Sequence, residues 1–270
     1  MVLWDVDTHK MYITPFDEGS GTSIVFGRNN QEGYRSVFEK CAKESKVIVD
    51  IRAHNGYHAL MFAKIVGDEG TIYAFEPCSH NFSLLVKNIK LNGYKNIFPV
   101  KMAVYDKVGT ARLYLFISSE GHSLQVKRSR HIVIETTSLD KFFEDKGYRV
   151  DFIRMNVEGS EPKVLDGMHK ILSLNPHLII ATEYNEADLI ASGCSPEKFL
   201  DKIRDLGLNI YCIDEYTGVL YHISGYSVPL NSLGLAYLLL TKDSSQLRKL
   251  GLTVTGYNIA ELSRRGVERC

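Results

Sequence analysis

The stretch Val47-Ile-Val-Asp-Ile-Arg-Ala-His-Asn-Gly-Tyr-His-Ala-Leu-Met-Phe-Ala-Lys-Ile-Val66 decides the fold. Its opening, Val47 to Asp50, is a short β-branched run ending in an acid, the pattern of a buried strand. A polar turn with one glycine, Gly56, follows, and Tyr57 to Val66 then carries Leu60, Phe62, Ala63 and Val66 at helical spacing before Gly67 closes the segment. Strand, tight loop and helix make the first half of a βαβ unit. The next half repeats it: Thr71 to Phe75 reads as a strand, and Ser79 to Leu91 as an amphipathic helix with Phe82, Leu85, Val86 and Ile89 on one side and Gly93 past its end.

Downstream, Ile97 to Val100 predicts a third strand, Asp151 to Val157 a fourth and His177 to Thr182 a fifth, with Asn209 to Ile213 and Ala236 to Leu240 as the last two. Helices are predicted over Glu161 to Leu172, with Pro162 in its first turn, and over Ser195 to Leu206, with Ser195 as N-cap and Pro196 at its first position. Ala111 to Ile117 and His131 to Thr137 alternate as an antiparallel pair across the polar loop Ser118 to Arg130, an insertion near the functional face. The alternation implies an α/β fold: a mostly parallel, Rossmann-like, seven-stranded sheet with helices on both faces, an inserted β-hairpin and an N-terminal flank. Residues 1–45, with a helix around Gln31 to Lys43, form a flank or lid, residues 46–245 the main domain and residues 246–270 a C-terminal extension.

A chain of 270 residues, 44% hydrophobic and 24% charged, buries a substantial core and is neither disordered nor fibrous in composition. Its 32 basic and 32 acidic residues cancel, so no broad positive field exists to hold nucleic acid, and a small acceptor is the better partner. Met1 to Lys10 lacks the basic and apolar runs of a signal peptide, and no apolar run reaches the roughly 20 residues of a membrane span, which points to a cytoplasmic protein. The five cysteines, Cys41, Cys78, Cys194, Cys212 and Cys270, are scattered without a C-x-x-C spacing, so neither a disulfide framework nor a zinc site is suggested.

Open α/β sheets bind ligands beyond the carboxyl ends of their strands, so the turns after Asp50, Phe75, Val100 and Met155 should converge on one crevice. The first turn lacks both the G-x-G-x-x-G of dinucleotide folds and the Walker signature, which disfavours NAD and ATP. Its one glycine is compatible with a ligand approaching the backbone or with a plain tight turn. The second turn, Phe75-Glu76-Pro77, places a carboxylate about 20 residues on, where a ribose diol would lie, or where a carboxylate partners the helix N-terminus.

Taken in order, Asp50 to Gly56, Tyr73 to Pro77, the Asn81 to Asn92 helix with Asn88 and Gly93, and Asn156-Val-Glu-Gly-Ser-Glu161 resemble the FkbM family of S-adenosylmethionine-dependent methyltransferases. That family shows D-V-G-A-N-x-G, Y-A-F-E-P, N-x-x-x-L-x-x-N and D-V-E-G-x-E; the likeness begins near Tyr12-Ile-Thr-Pro-Phe-Asp17, runs to Leu172 and continues weakly to the last strand. The resemblance implies a class I methyltransferase sheet binding S-adenosyl-L-methionine. Asp50 and the backbone of Ala53, His54, Asn55 and Gly56 would then lie near its methionine part, Glu76 and Pro77 at the ribose, Met102 and Ala103 at the adenine, and Asn156, Glu158 and Glu161 at the reacting face. It further implies O-methylation of a sugar or other small or medium-sized metabolite.

Transfer from a sulfonium requires mainly alignment and the removal of one proton. Glu158 is a candidate for base or substrate orientation, and equally for a plain helix N-terminal acid. His122 is a second candidate base, or a solvent-facing loop histidine. His54 and His58 lack any H-E-x-x-H context, so no metal is expected. A competing reading is a degenerate relative serving as a binding or interaction module, because Arg52 stands where the family pattern has glycine, His54 where it has asparagine and Asn156 where it has aspartate.

Overall fold

The computed structural model describes residues 1–14, 32–116, 121–231 and 234–256. A hairpin of β1 (Val2–Val6) and β2 (His9–Ile13) opens the chain, and helix α1 (Glu32–Lys43) follows. Then β3 (Val47–Ile51), α2 (Tyr57–Val66), β4 (Thr71–Phe75), α3 (Ser79–Asn92) and β5 (Ile97–Val100) form two successive parallel βαβ units, as their periodicity predicts. Gly56, at φ 94°, turns the chain into α2, and Gly93, at φ 74°, ends α3 with its N–H on the Lys90 carbonyl.

Next come β6 (Ala103–Val104), β7 (Gly109–Tyr114), β8 (His131–Thr137), α4 (Leu139–Phe142), β9 (Phe152–Met155), α5 (Glu161–Asp166), α6 (His169–Leu174), β10 (Ile179–Asn185) and α7 (Glu186–Ala191). The chain continues through α8 (Pro196–Asp205), β11 (Asn209–Ile213), β12 (Leu220–His222), β13 (Leu235–Thr241), α9 (Ser245–Lys249) and β14 (Val254–Gly256). The main sheet has the order β14-β12-β11-β13-β10-β9-β3-β4-β5, with β3, β4, β5, β9 and β10 parallel and β13 antiparallel between β10 and β11. This is the α/β sheet implied by the resemblance; among the described residues it counts nine strands, the seven predicted and two more. The two extra strands, β12 and β14, extend the β11 edge and have three residues each, too few to show a periodicity in sequence.

Helices cover both faces, so the strands are apolar on both sides. Ile48 joins Phe38, Phe62 and Phe152 in one buried cluster that includes residues of α1 and α2. Val49 and Ile51 join Phe75, Ile153 and Met155 in another that includes Val164 of α5, Ile171 of α6 and Phe199 of α8. The inserted hairpin is β7 paired antiparallel with β8, and β6 adds to β8 in parallel to make a separate three-stranded sheet. Ile117 and residues 118–120 of the predicted insertion lie outside the described residues, as do Pro15 to Asp17 and Cys270.

The helix predicted over Glu161 to Leu172 is broken in two, because Gly167 docks on another element. A Cβ there would come within 2.2 Å of the Tyr105 carbonyl oxygen, and the Gly167 carbonyl accepts the Asp140 N–H at 3.0 Å. The Asp140 carboxylate then caps the start of α6 by accepting the Lys170 and Ile171 N–H groups, both at 2.9 Å.

The N-terminal hairpin is anchored to the first βαβ unit. The Asn88 amide accepts the Tyr12 N–H at 2.6 Å and donates to the Tyr12 carbonyl at 3.1 Å and the Asn55 carbonyl at 2.8 Å. In the β1–β2 turn, Asp7 pairs with Arg35 of α1 at 2.8 Å and accepts the Tyr57 hydroxyl at 3.0 Å. Among the described residues, Cys41, Cys78, Cys194 and Cys212 are free, and no helix is long and apolar enough to cross a membrane.

Candidate functional site

The carboxyl ends of β3, β4, β9 and β10 meet at one end of the sheet. From β3 the chain passes through Arg52 at φ 67°, His54 at φ 54° and Gly56 at φ 94°, three residues in the left-handed region of which only one is glycine. A non-glycine residue there is strained by about 1 kcal/mol or more, so the surroundings must hold it. They do: the Ala53 N–H donates to the Phe75 carbonyl at 2.8 Å, the His54 N–H to Glu76 Oε2 at 2.9 Å, and the Arg52 side chain is bound at its far end.

Glu76, immediately after β4, is 2% exposed. Its Oε1 accepts the Cys78 N–H at 2.9 Å and its Oε2 the His54 N–H, while the Asn81 amide hydrogen-bonds the same carboxylate. Burial pushes Glu76 up to about 7, against the pull of these donors and of Arg52. Glu76 lines a cavity of about 450 Å³, including its mouth, together with Pro77, Met102, Ala103, Arg52 and His122. Leu113 and Leu124 of the inserted segment complete its wall, so the hairpin is a wall of the site.

A second group of side chains gathers at the ends of β9 and β10. Arg52 Nη1 donates to Glu158 Oε1 at 2.7 Å, to Asn156 Oδ1 at 3.0 Å and to the Asn156 carbonyl at 3.2 Å. The sequence leaves Asp50, Glu76 and Glu158 as possible partners of this arginine; the ion pair is with Glu158. Glu158 is itself left-handed at φ 50°, and the Ser123 hydroxyl, from the inserted loop, donates to its carbonyl at 2.7 Å. Gly159 follows at φ 87°, where a Cβ would meet the Asp188 carbonyl oxygen at 2.6 Å, so only glycine lets α7 approach this turn.

That approach hydrogen-bonds Asp188 to Glu158, and burial together with the Glu158 bond pushes Asp188 up to about 7. Burial also raises Glu161 to about 7, although its Oε1 accepts the Val157 N–H at 2.9 Å. Glu183 is held well above the ordinary carboxylate range by burial and by the charges of Glu158 and Glu161. Beneath them Asp50, fully buried and raised by burial, pairs with Arg154 at 3.4 Å, and Arg154 donates to the Tyr237 hydroxyl at 3.1 Å.

The two groups thus bring together most of the residues singled out in the sequence. Glu76, Pro77, Met102, Ala103 and His122 line the cavity; Ala53, His54, Asn55 and Gly56 form the adjoining loop; Asn156 and Glu158 meet Arg52 beside it. His122 Nδ1 accepts the Phe116 N–H at 3.1 Å, so that nitrogen is engaged with the backbone. Arg154, Glu183, Asp188 and Asn81 are additions. Arg154 was readable as a charge inside the apolar run Phe152 to Met155, and Glu183 as one inside a strand that runs past Thr182. Among the described residues, no three His, Cys, Asp or Glu side chains are gathered to hold a metal.

A methyltransferase FkbM domain matches residues 50–206, more than half of the chain. No curated protein sequence matches it. Among solved structures the chain is similar to methyltransferase FkbM from Methylobacillus flagellatus KT, at 16% identity and a TM-score of 0.43 over 73% of this chain. The match spans 43% of that protein, under half of its length. The chain is also similar to a SAM-dependent methyltransferase from Aquifex aeolicus, at 12% identity and a TM-score of 0.47 over 85% of this chain and 98% of that one. A third likeness is to precorrin-6y C5,15-methyltransferase from Geobacter metallireducens GS-15, at 12% identity and a TM-score of 0.44 over 77% and 85% of the two chains.

Proposed function

The chain belongs to the methyltransferase FkbM domain family, and from that premise we propose that it binds S-adenosylmethionine in the Glu76 cavity and directs its methyl group to a hydroxyl of a sugar or other small or medium-sized metabolite. The observation that carries this reading is Glu76: a carboxylate buried at the end of β4, fixed by two backbone N–H groups, lining a cavity whose apolar walls include Pro77, Met102, Ala103 and Leu113. A fixed acceptor in an apolar slot suits a nucleoside, whose ribose hydroxyls need acceptors and whose base needs apolar walls. When bound, S-adenosylmethionine supplies a methyl group already activated by its sulfonium. Glu76 holds the ribose, Met102 and Ala103 border the base, and the backbone of Ala53 to Gly56 borders the methionine part.

What remains for the chain is to orient the acceptor and remove its proton. Glu158 and Asp188 do so as a hydrogen-bonded pair: Arg52 fixes Glu158, and Asp188, raised to about 7, can take a proton near neutral pH. Asn156 orients Arg52 through its side-chain and main-chain oxygens. This arrangement keeps Arg52 engaged with Glu158 and Asn156, and it supports an enzyme over an impaired interaction module.

The test is thermal denaturation with S-adenosylhomocysteine. A ligand bound only by the native state at a hundredfold excess over its Kd stabilises it by about 2.7 kcal/mol, so a rise of several degrees in Tm is expected. No rise at millimolar ligand would remove the reading. Mass spectrometry of metabolite extracts incubated with protein and cofactor then identifies the acceptor by its gain of one methyl group, and a methylated nitrogen or carbon would overturn the choice of a hydroxyl.

Arg52→Gly should tighten binding of S-adenosylmethionine by about tenfold, or 1.4 kcal/mol. Glycine relieves the left-handed strain at φ 67°, and its arrival removes a cation that lines the cavity and repels a sulfonium. Calorimetry with both S-adenosylmethionine and the uncharged S-adenosylhomocysteine separates the two causes, because only the first ligand responds to the lost charge. Equal affinities in both proteins would show the arginine to be neutral.

A further inference from the structure

One polar atom of a cavity-lining residue has no partner. Asn81, in the first turn of α3, is 2% exposed, and its Oδ1 is buried without a hydrogen bond. A buried amide oxygen left unpaired is destabilising, a cost that a leucine at the same place would avoid. Asn81 lines the same cavity as Glu76, and its amide bonds the Glu76 carboxylate. An ionised carboxylate only accepts, so Nδ2 is the atom turned toward Glu76 and Oδ1 is the atom left over. Glu76 and Asn81 thus stand together in the cavity wall, two acceptors joined through one amide group, with the Asn81 Oδ1 itself buried. A vicinal diol presents two donors on adjacent carbons.

We infer that Asn81 is a second ribose-recognition residue, whose Oδ1 accepts a hydrogen bond from one hydroxyl of the cofactor nucleoside while Glu76 accepts from the other. The inference rests on the reading of the cavity as the cofactor site, and it assigns Asn81 two tasks. Its amide N–H groups keep the Glu76 carboxylate in place, and its oxygen reads the ribose directly. Such a pair discriminates a ribonucleoside from a deoxynucleoside, because removing either hydroxyl strands a buried acceptor.

Calorimetry tests this with S-adenosylhomocysteine and its 2′-deoxy and 3′-deoxy analogues on the wild type and Asn81→Leu, with Asn81→Ala as a second variant should the leucine fail to fold. In the wild type each missing hydroxyl should weaken binding by about tenfold. In the variant, one of the two penalties should vanish while the other persists. If both penalties persist unchanged, or if the variant weakens all three ligands equally, Asn81 is a structural or base-contacting residue and the inference falls. Failure of wild-type protein to bind S-adenosylhomocysteine overturns the cofactor reading itself, and with it this inference.

Discussion

Glu158→Gln lowers turnover by about a hundredfold or more while changing the Kd for S-adenosylhomocysteine by less than about threefold. General bases contribute about 10²–10⁴ to rate, and glutamine has the shape of the acid but cannot share a proton with Asp188. The substitution also breaks the carboxyl pair with Asp188 and leaves Arg52, whose side chain is 13% exposed, without its 2.7 Å anion. Some stability is therefore lost, so Tm must be measured alongside kcat. The separation of kcat from Kd is the informative part. Glu158 lies after β9 with Asn156, outside the ring of Glu76, Pro77, Met102 and Ala103 that lines the cavity. Steady-state kinetics with the identified acceptor decides it: an unchanged kcat would remove Glu158 from the proton transfer and leave it as an anchor for Arg52.

Glu76→Ala weakens S-adenosylhomocysteine binding by about thirtyfold or more, near 2 kcal/mol. Two losses combine. The ribose loses a charge-assisted acceptor, and the N–H groups of His54 and Cys78 lose the carboxylate that fixes their loops. The same residue sets a pH dependence. Its folded-state value is about 7 against an ordinary 4.5, so between those values the native protein holds a proton that the unfolded chain releases. The contribution of Glu76 to stability is therefore largest at low pH and declines as pH rises from about 4.5 to about 7. Cofactor binding runs the other way, because the ionised carboxylate is the better acceptor. Affinity should be level above about pH 7 and fall below it, and Glu76→Gln should flatten that fall. Calorimetry across pH 5.5 to 8 in both proteins checks this; a wild-type affinity indifferent to pH would show that Glu76 does not titrate at the ligand.

The sequence made the sheet legible where strands are buried on both sides and long enough to show it. Val47 to Asp50 and Thr71 to Phe75 are such runs, and in each an acid at or just past the strand end, Asp50 or Glu76, stands out against apolar neighbours. The break at Gly167 was not legible, because its causes are the distant Tyr105 carbonyl and the Asp140 carboxylate. Nor was Asp188. It reaches the site because Gly159 has no side chain, and its partner lies 30 positions earlier in the chain. Arg52 is intermediate. The departure from glycine was visible in sequence and three acids were open to it, yet only the three-dimensional turn at Glu158 selects among them.

The three hydrogen bonds of Asn88 give the first fourteen residues a place in the energetics of the site. Tyr12 of the hairpin and Asn55 of the β3–α2 loop are held by one amide group. When either segment opens, the side chain that holds the other loses its fixed orientation. Hairpin and loop therefore belong to one cooperative opening unit, in which amide protons far apart in the chain exchange with solvent through the same event.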